Sequence, residues 1–297
     1  MRKAFIDSLI KLARKDERVF LVTADMGYSV LEPFQEEFPD RFLNSGVAEQ
    51  NSVGLAAGLA LSGYIPYVYS IIPFVTMRCF EQIRVDLAYM QTNVRLIGVG
   101  AGFEYGSSGA THHSLEDIAV MRALAGMTVC CPGDNLEAEQ IITQSLEYQG
   151  PIYIRIGKNK YDFLHEKGTE ITISKAAILQ SGERQAFIST SNTLGIAKAN
   201  ADKVYLESGF KPYVISMHTV KPLDTVILDK LIKEKVDIVS IEEHNLIGGL
   251  GSAIAEYLCD VGANVKLQRI AVPDCFSHLV GDQSILRSHF GLLDYNG

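Results

Sequence analysis

The chain has 297 residues, 47% of them hydrophobic, and a formal net charge of −8. With no block of Lys or Arg, that charge disfavours nucleic acid or an acidic membrane surface as partner. No apolar run reaches the roughly 18 residues a spanning helix requires, and Asp7 interrupts the apolar start "MRKAFIDSLIKLARKDERVF", unlike a signal peptide, so a cytoplasmic protein is expected.

Five cysteines (Cys79, Cys130, Cys131, Cys259, Cys275) include no CxxC pair and leave an odd one over. That disfavours both a disulfide framework and a zinc site, and no metal ligands are expected.

An amphipathic helix over about Lys3 to Arg14 leads into "RVFLVTAD", a strand whose carboxyl end carries Asp25. The apolar runs "IPYVYSI", "VRLIGVG", "MTVCCPG" and "GPIYIRI" read as buried strands, separated by helical periods in "MRCFEQIRVDLAYMQ" and "NLEAEQIITQSLEYQ". The polar stretch "GKNKYDFLHEKGTEITISKA" reads as a linker. A second set follows, with strands at "QAFIST", "KPYVISM", "VDIVSIEEH" and "NVKLQRIAV" and a helix at "SAIAEYLCDVG". The expectation is an α/β protein of two doubly wound domains, 1–168 and a smaller 169–297, with mostly parallel sheets. Ligands of such sheets bind beyond the carboxyl ends of strands, which marks Asp25 to Ser29, Tyr69 to Phe74, Gly98 to His113 and Arg155 to Lys158 as one rim.

The stretch "NSGVAEQNSVGLAAGLALSG" sets a single carboxylate, Glu49, at the head of a helix of small and apolar residues. Small residues on nearly every face predict close packing all round, which would desolvate Glu49; an unpaired buried carboxylate costs several kcal/mol and needs a polar ligand. "GSSGATHHSLED" adds a glycine-rich loop with adjacent histidines, a poor metal pair but a candidate proton donor to a substrate oxygen. "HNLIGGLGS" lacks both a Gly-Lys-Ser/Thr ending and a full GxGxxG, so it reads as a tight turn before a closely packed helix.

"GVAEQNSVGLAAGLALSG" resembles the catalytic-glutamate motif of thiamine diphosphate enzymes of the transketolase type, a group that includes deoxyxylulose phosphate synthase and the beta subunits of 2-oxo-acid dehydrogenases. The resemblance runs the length of the chain. "LVTADMGYS", "GATHHSLEDIAVMRALAGMTVCCPGD" and "PIYIRIGKN" follow in order in the pyrimidine-binding domain, then "KPYVISMHTVKPLD" and "IEEHNLIGGLGSAIAEYL" in the C-terminal domain.

The resemblance implies that Glu49 hydrogen-bonds the cofactor's aminopyrimidine and favours its imino tautomer, that Phe74 stacks on that ring, and that Asp25 belongs to the cofactor-binding set. It implies that His112 contacts the substrate oxygen, with His113 a structural neighbour, and that Arg2, Ser29 and Lys158 hold a sugar phosphate. Two positions depart from the pattern. Gly100 stands where transketolases carry His and the synthases Arg, and Ser108 where both carry Asp, so an unusual substrate is expected. No Gly-Asp-Gly occurs in the chain. The resemblance then implies that the diphosphate and its Mg²⁺ are held mainly by an N-terminal transketolase-like subunit, in an expected heterotetramer with a homodimeric core.

The implied activity is transfer of a two-carbon ketol unit from a ketose to an aldose, active only with that partner. A deoxyxylulose phosphate synthase-like or 2-oxo-acid dehydrogenase beta-type subunit shares the glutamate motif; a non-catalytic regulatory or scaffolding subunit is the alternative of another kind.

Overall fold

Residues 1–295 are described by a computed structural model. Strands β1 (Val19–Thr23), β2 (Phe42–Asn44), β3 (Ile65–Ile71), β4 (Arg95–Val99), β5 (Thr128–Cys130), β6 (Ile152–Ile156), β7 (Ala177–Gln180), β8 (Gln185–Ser189), β9 (Tyr213–Ser216), β10 (Thr219–Lys221), β11 (Asp237–Asn245) and β12 (Leu267–Val272) form two sheets. The seven-stranded sheet has the order β10-β5-β6-β4-β3-β1-β2, parallel except where β10 meets β5. The five-stranded sheet has the order β12-β11-β8-β9-β7, parallel except where β7 meets β9. Every residue of β3, β4 and β6 is buried, the pattern of parallel strands covered by helices on both faces. The fold is α/β as the alternation of runs predicts.

On one face of the large sheet, the helix Arg2–Lys15 packs Phe5, Leu9 and Leu12 against Leu21, Tyr67 and Ile97. On the other, Val53, Val68, Leu96 and Met121 share a core with Ile188, Ile215 and Ile254 from the second half of the chain. Strand β10 crosses from that half to extend the first sheet, a three-residue element too short to leave a period in the sequence.

A buried ion pair locks the seam. Arg155 Nε donates to Asp117 Oδ2 at 2.9 Å, Nη1 to Ser191 Oγ at 2.9 Å, and Nη2 to the carbonyls of Ser114 (2.7 Å) and Glu243 (3.1 Å). Glu243 in turn accepts from Phe103 N at 2.6 Å and from Arg287 Nε at 2.6 Å.

Two expectations are corrected. The helical period in "MRCFEQIRVDLAYMQ" is a short helix Phe80–Gln82 running into a π-helical segment Ile83–Tyr89, whose wider turn brings Ile83, Leu87 and Ala88 together onto the core. The helix Glu49–Leu61 is not packed all round. Glu49, Ser52, Val53, Ala56 and Ala57 face inward, while Asn51, Gly54, Leu55, Gly58 and Leu61 face outward. A Cβ added at Gly54 or Gly58 would meet nothing within 4 Å. The small residues that imply close packing find no neighbour on that side within this chain.

Candidate active site

The carboxyl ends of β1, β3, β4 and β6 bring the rim residues together. Past β1 the chain turns through two left-handed residues, Asp25 (φ 52°) and Ser29 (φ 62°). Such conformations cost about 1–3 kcal/mol each and persist only where surroundings enforce them. Asn44 does so for Asp25: its Oδ1 accepts from Asp25 N (2.9 Å) and Gly46 N (3.0 Å), and its Nδ2 donates to Asp25 Oδ1 (3.2 Å). Tyr28 OH donates to the same carboxylate at 2.9 Å. The glycine turn at Gly46 (φ 72°) then delivers the chain into the helix headed by Glu49.

Glu49 is 3% exposed, so the sequence expectation of a desolvated acid holds. It is not unpaired, however: Arg78 Nη1 donates to Glu49 Oε2 at 2.7 Å. The same guanidinium lies 4.5 Å from the Phe74 ring centroid. Sequence reasoning misses Arg78: the stretch read as a helical period opens at Met77, but residues 76–79 form a turn between two short helices, and the turn rather than a helical period sets the direction of Arg78. The planar cation stacks on Phe74 while donating to Glu49, and those are the two contacts an aminopyrimidine would require. The residues present therefore fit such a ring.

From Phe74 an aromatic row continues. The His112 ring is edge-on to Phe74 at 5.1 Å between centroids and 6.1 Å from Tyr105, and Lys158 Nζ lies 4.2 Å over the Tyr105 ring. His112 Nδ1 pairs with Thr111 Oγ1 at 2.9 Å, which leaves Nε2 for another partner. His113 points inward instead, edge-on to Phe103 at 5.1 Å, where burial holds its imidazole below the usual range. Glu49, Arg78, Phe74, His112, Tyr105 and Lys158 thus form one continuous line across the strand ends.

At the far end of that line Arg2, Ser29 and Lys158 border a single cavity of about 720 Å³. Arg2 Nε donates to the Lys158 carbonyl at 3.2 Å. Beneath them lies a second residue without a sequence signal, Glu104. Its buried carboxylate accepts from Lys158 N (2.6 Å), Asn159 N (3.2 Å) and Tyr161 OH, and burial raises its proton affinity. This pins the backbone that carries Lys158.

Among the described residues no group of three His, Cys, Asp or Glu is arranged to hold a metal ion, and no helix is long and apolar enough to cross a membrane. "HNLIGGLGS" is a turn before a helix, and the amides a phosphate would need are taken: Glu242 accepts from Leu250 N (2.7 Å) and Gly251 N (2.8 Å) at the start of the helix Leu250–Asp260.

Comparison with known proteins gives the family of both halves of the chain. Residues 1–162 match the transketolase pyrimidine-binding domain and residues 174–293 the transketolase C-terminal domain. One subunit of an apulose-4-phosphate transketolase from Phocaeicola vulgatus is 37% identical, over 98% of this chain and 93% of the relative. A 1-deoxy-D-xylulose-5-phosphate synthase from Heliobacterium modesticaldum is 35% identical over 99% of this chain, which spans 45% of that longer protein. A solved split-gene transketolase, in the form of an inactive β4 tetramer, superposes with a TM-score of 0.89 at 30% identity, over 98% of this chain and 93% of its own. With both domains matched in order and relatives similar over nearly the whole length, the chain belongs to the transketolase family.

Proposed function

We propose that this chain is the pyrimidine-binding, C-terminal subunit of a split, thiamine diphosphate-dependent transketolase that moves a two-carbon ketol unit from a ketose to an aldose. The observation that carries the reading is the buried carboxylate of Glu49 facing a half-buried aromatic, Phe74, across a single planar cation. Bound thiamine diphosphate would supply the carbon nucleophile that accepts and passes on the two-carbon unit.

Glu49 would hold a proton at a pyrimidine nitrogen, with Arg78 sharing its Oε2, and Phe74 would support the ring face. Asp25, fixed by Asn44 and Tyr28 next to the helix start, belongs to the same cofactor-facing set. His112, its Nδ1 engaged by Thr111, would present Nε2 to a substrate oxygen and exchange a proton with it. Arg2, Ser29 and Lys158 would grip the far end of the sugar.

The diphosphate and its Mg²⁺ are assigned to a partner. Support comes from the outward stripe of the Glu49 helix, where Leu55, Leu61, Gly54 and Gly58 are exposed, and from the nearby exposed Val47 and Tyr89. Apolar surface of this kind beside a site marks an interface. The assembly we assign is a cytoplasmic heterotetramer of two such chains and two N-terminal subunits. The Phocaeicola relative, itself one subunit of a transketolase, and the inactive β4 form of the split-gene transketolase fit a chain that needs another for activity.

The test is reconstitution. Purified with its partner, thiamine diphosphate and Mg²⁺, the complex is expected to pass a ketol unit from a ketose phosphate to an aldehyde without releasing carbon dioxide. Carbon dioxide release from pyruvate in place of that transfer would reassign the chain to the decarboxylating synthases.

A further inference from the structure

Position 100 needs an explanation that its neighbours supply. Gly100 is left-handed (φ 92°), and a Cβ built on it would lie 2.2 Å from Tyr105 Cε2 and 2.3 Å from Cδ2. The Tyr105 ring therefore fills the volume into which any side chain at position 100 would project. The backbone that carries the ring is fixed: Ser108 N donates to the Tyr105 carbonyl at 2.8 Å, and the next residue, Gly106, lies so close to Gly281 that an added Cβ would meet its carbonyl oxygen at 2.4 Å.

Tyr105 also determines where a charge sits. Lys158 lines two recesses, the cavity with Arg2 and Ser29 and a polar one of about 360 Å³ that contains Asp282. Its backbone is pinned by Glu104, but its four-carbon stem can swing toward either. The face of the phenol ring, negative by its quadrupole, takes the ammonium at 4.2 Å, and the charge of Arg2, which lines the first of these recesses, reaches the same phenol.

We propose that Tyr105 is the specificity-determining residue of the substrate channel. By replacing a side chain at position 100 and holding the Lys158 ammonium beside the Arg2 and Ser29 cavity, it selects ketoses whose far end carries a phosphate. This rests on the transfer function proposed above. Tyr105 acts through Lys158 and is a positioning residue, so removing it is expected to weaken the grip on the anion and leave the rest of the sugar as it was.

The experiment is a calorimetric titration of inorganic phosphate, xylulose 5-phosphate and xylulose into the complex assembled without thiamine diphosphate, with KM and kcat measured alongside on the loaded complex. The wild type is expected to bind xylulose 5-phosphate at least about tenfold more tightly than xylulose, the size of one charge-assisted contact. Tyr105→Ala and Lys158→Gln are each expected to cut that preference about fivefold or more, raise KM for the phosphorylated donor and weaken inorganic phosphate. Tyr105→Phe keeps the ring face and is expected to keep the preference, which a general folding defect in the alanine variant would not explain. A wild type with no preference for the phosphorylated sugar, or a Tyr105→Ala variant that retains it, overturns the proposal. Because these titrations need no turnover, their failure is separate from that of the transfer reading, which falls if the same complex binds no thiamine diphosphate.

Discussion

Two ion pairs in the first half of the chain have the same chemistry and opposite settings. Asp117 and Arg155 are both essentially unexposed, and the guanidinium spends its remaining donors on Ser191 and two carbonyls of the seam. Glu49 is buried much as Asp117 is, but Arg78 is 45% exposed and stacked on an aromatic that itself reaches the surface. The first pair is closed by its own chain. The second is closed on one side only, beside a helix stripe that nothing covers. Burial of a charge alone does not mark a functional site; burial facing an unfinished surface does.

If that contrast is right, neutralising the two acids must give opposite results. Glu49→Gln is expected to reduce turnover of the reconstituted complex about 10²- to 10⁴-fold, the usual share of a positioned proton-transfer group. It should change the lone chain's unfolding free energy by only about 1 kcal/mol, because its partner is half in water. Asp117→Asn leaves Arg155 uncompensated in the seam and is expected to cost about 3–5 kcal/mol in denaturant unfolding. A Glu49→Gln complex with full turnover, or an Asp117→Asn chain of unchanged stability, breaks the comparison.

The outer stripe offers a smaller and sharper test. Gly58→Ala has open space for its methyl and removes a helix-interior glycine, so it is expected to stabilise the lone chain by about 0.5–1 kcal/mol. Gly58→Arg is expected to leave the lone chain folded and abolish co-elution with the N-terminal subunit on a sizing column. Normal assembly by the arginine variant would place the partner elsewhere.

A further effect is expected on pH. His218, at the seam, is enclosed with no partner on Nε2 among the described residues, and burial lowers its proton affinity. It is neutral in the fold, so as pH falls below about 6.5 the unfolded chain binds a proton that the fold refuses, and stability declines. His165 acts the other way: burial opposes its charge, but Glu137 Oε1 at 2.7 Å raises its proton affinity overall. Its contribution is complete below about 6.5 and fades as pH rises through the raised value. His218→Gln is expected to flatten the fall in Tm between pH 6.5 and 5 by the equivalent of about 1 kcal/mol. An unchanged slope would assign the acid sensitivity to other groups.

What the sequence disclosed follows from which interactions are local. Strand β3 is legible because seven consecutive residues answer to one rule, burial on both faces. Glu49 is legible because a charge at the head of an apolar helix has few settings, and His112 because it sits in a glycine-rich loop. Arg78 and Tyr105 are not legible, since each acquires its meaning from a ring or charge more than two dozen residues away, Glu49 for one and Lys158 for the other. Strand β10 fails for the same reason, its partner β5 lying in the other half of the chain. The Glu49 helix misleads differently: small residues imply a close neighbour, and the sequence does not say whether that neighbour is the same molecule.

The most direct test of the central claim is a structure of the assembled complex with thiamine diphosphate bound, read at one distance. The account predicts a Glu49 carboxylate oxygen within about 3 Å of a pyrimidine ring nitrogen, with the ring against Phe74. A Glu49 that contacts Arg78 alone, with the coenzyme ring bound elsewhere, would contradict it.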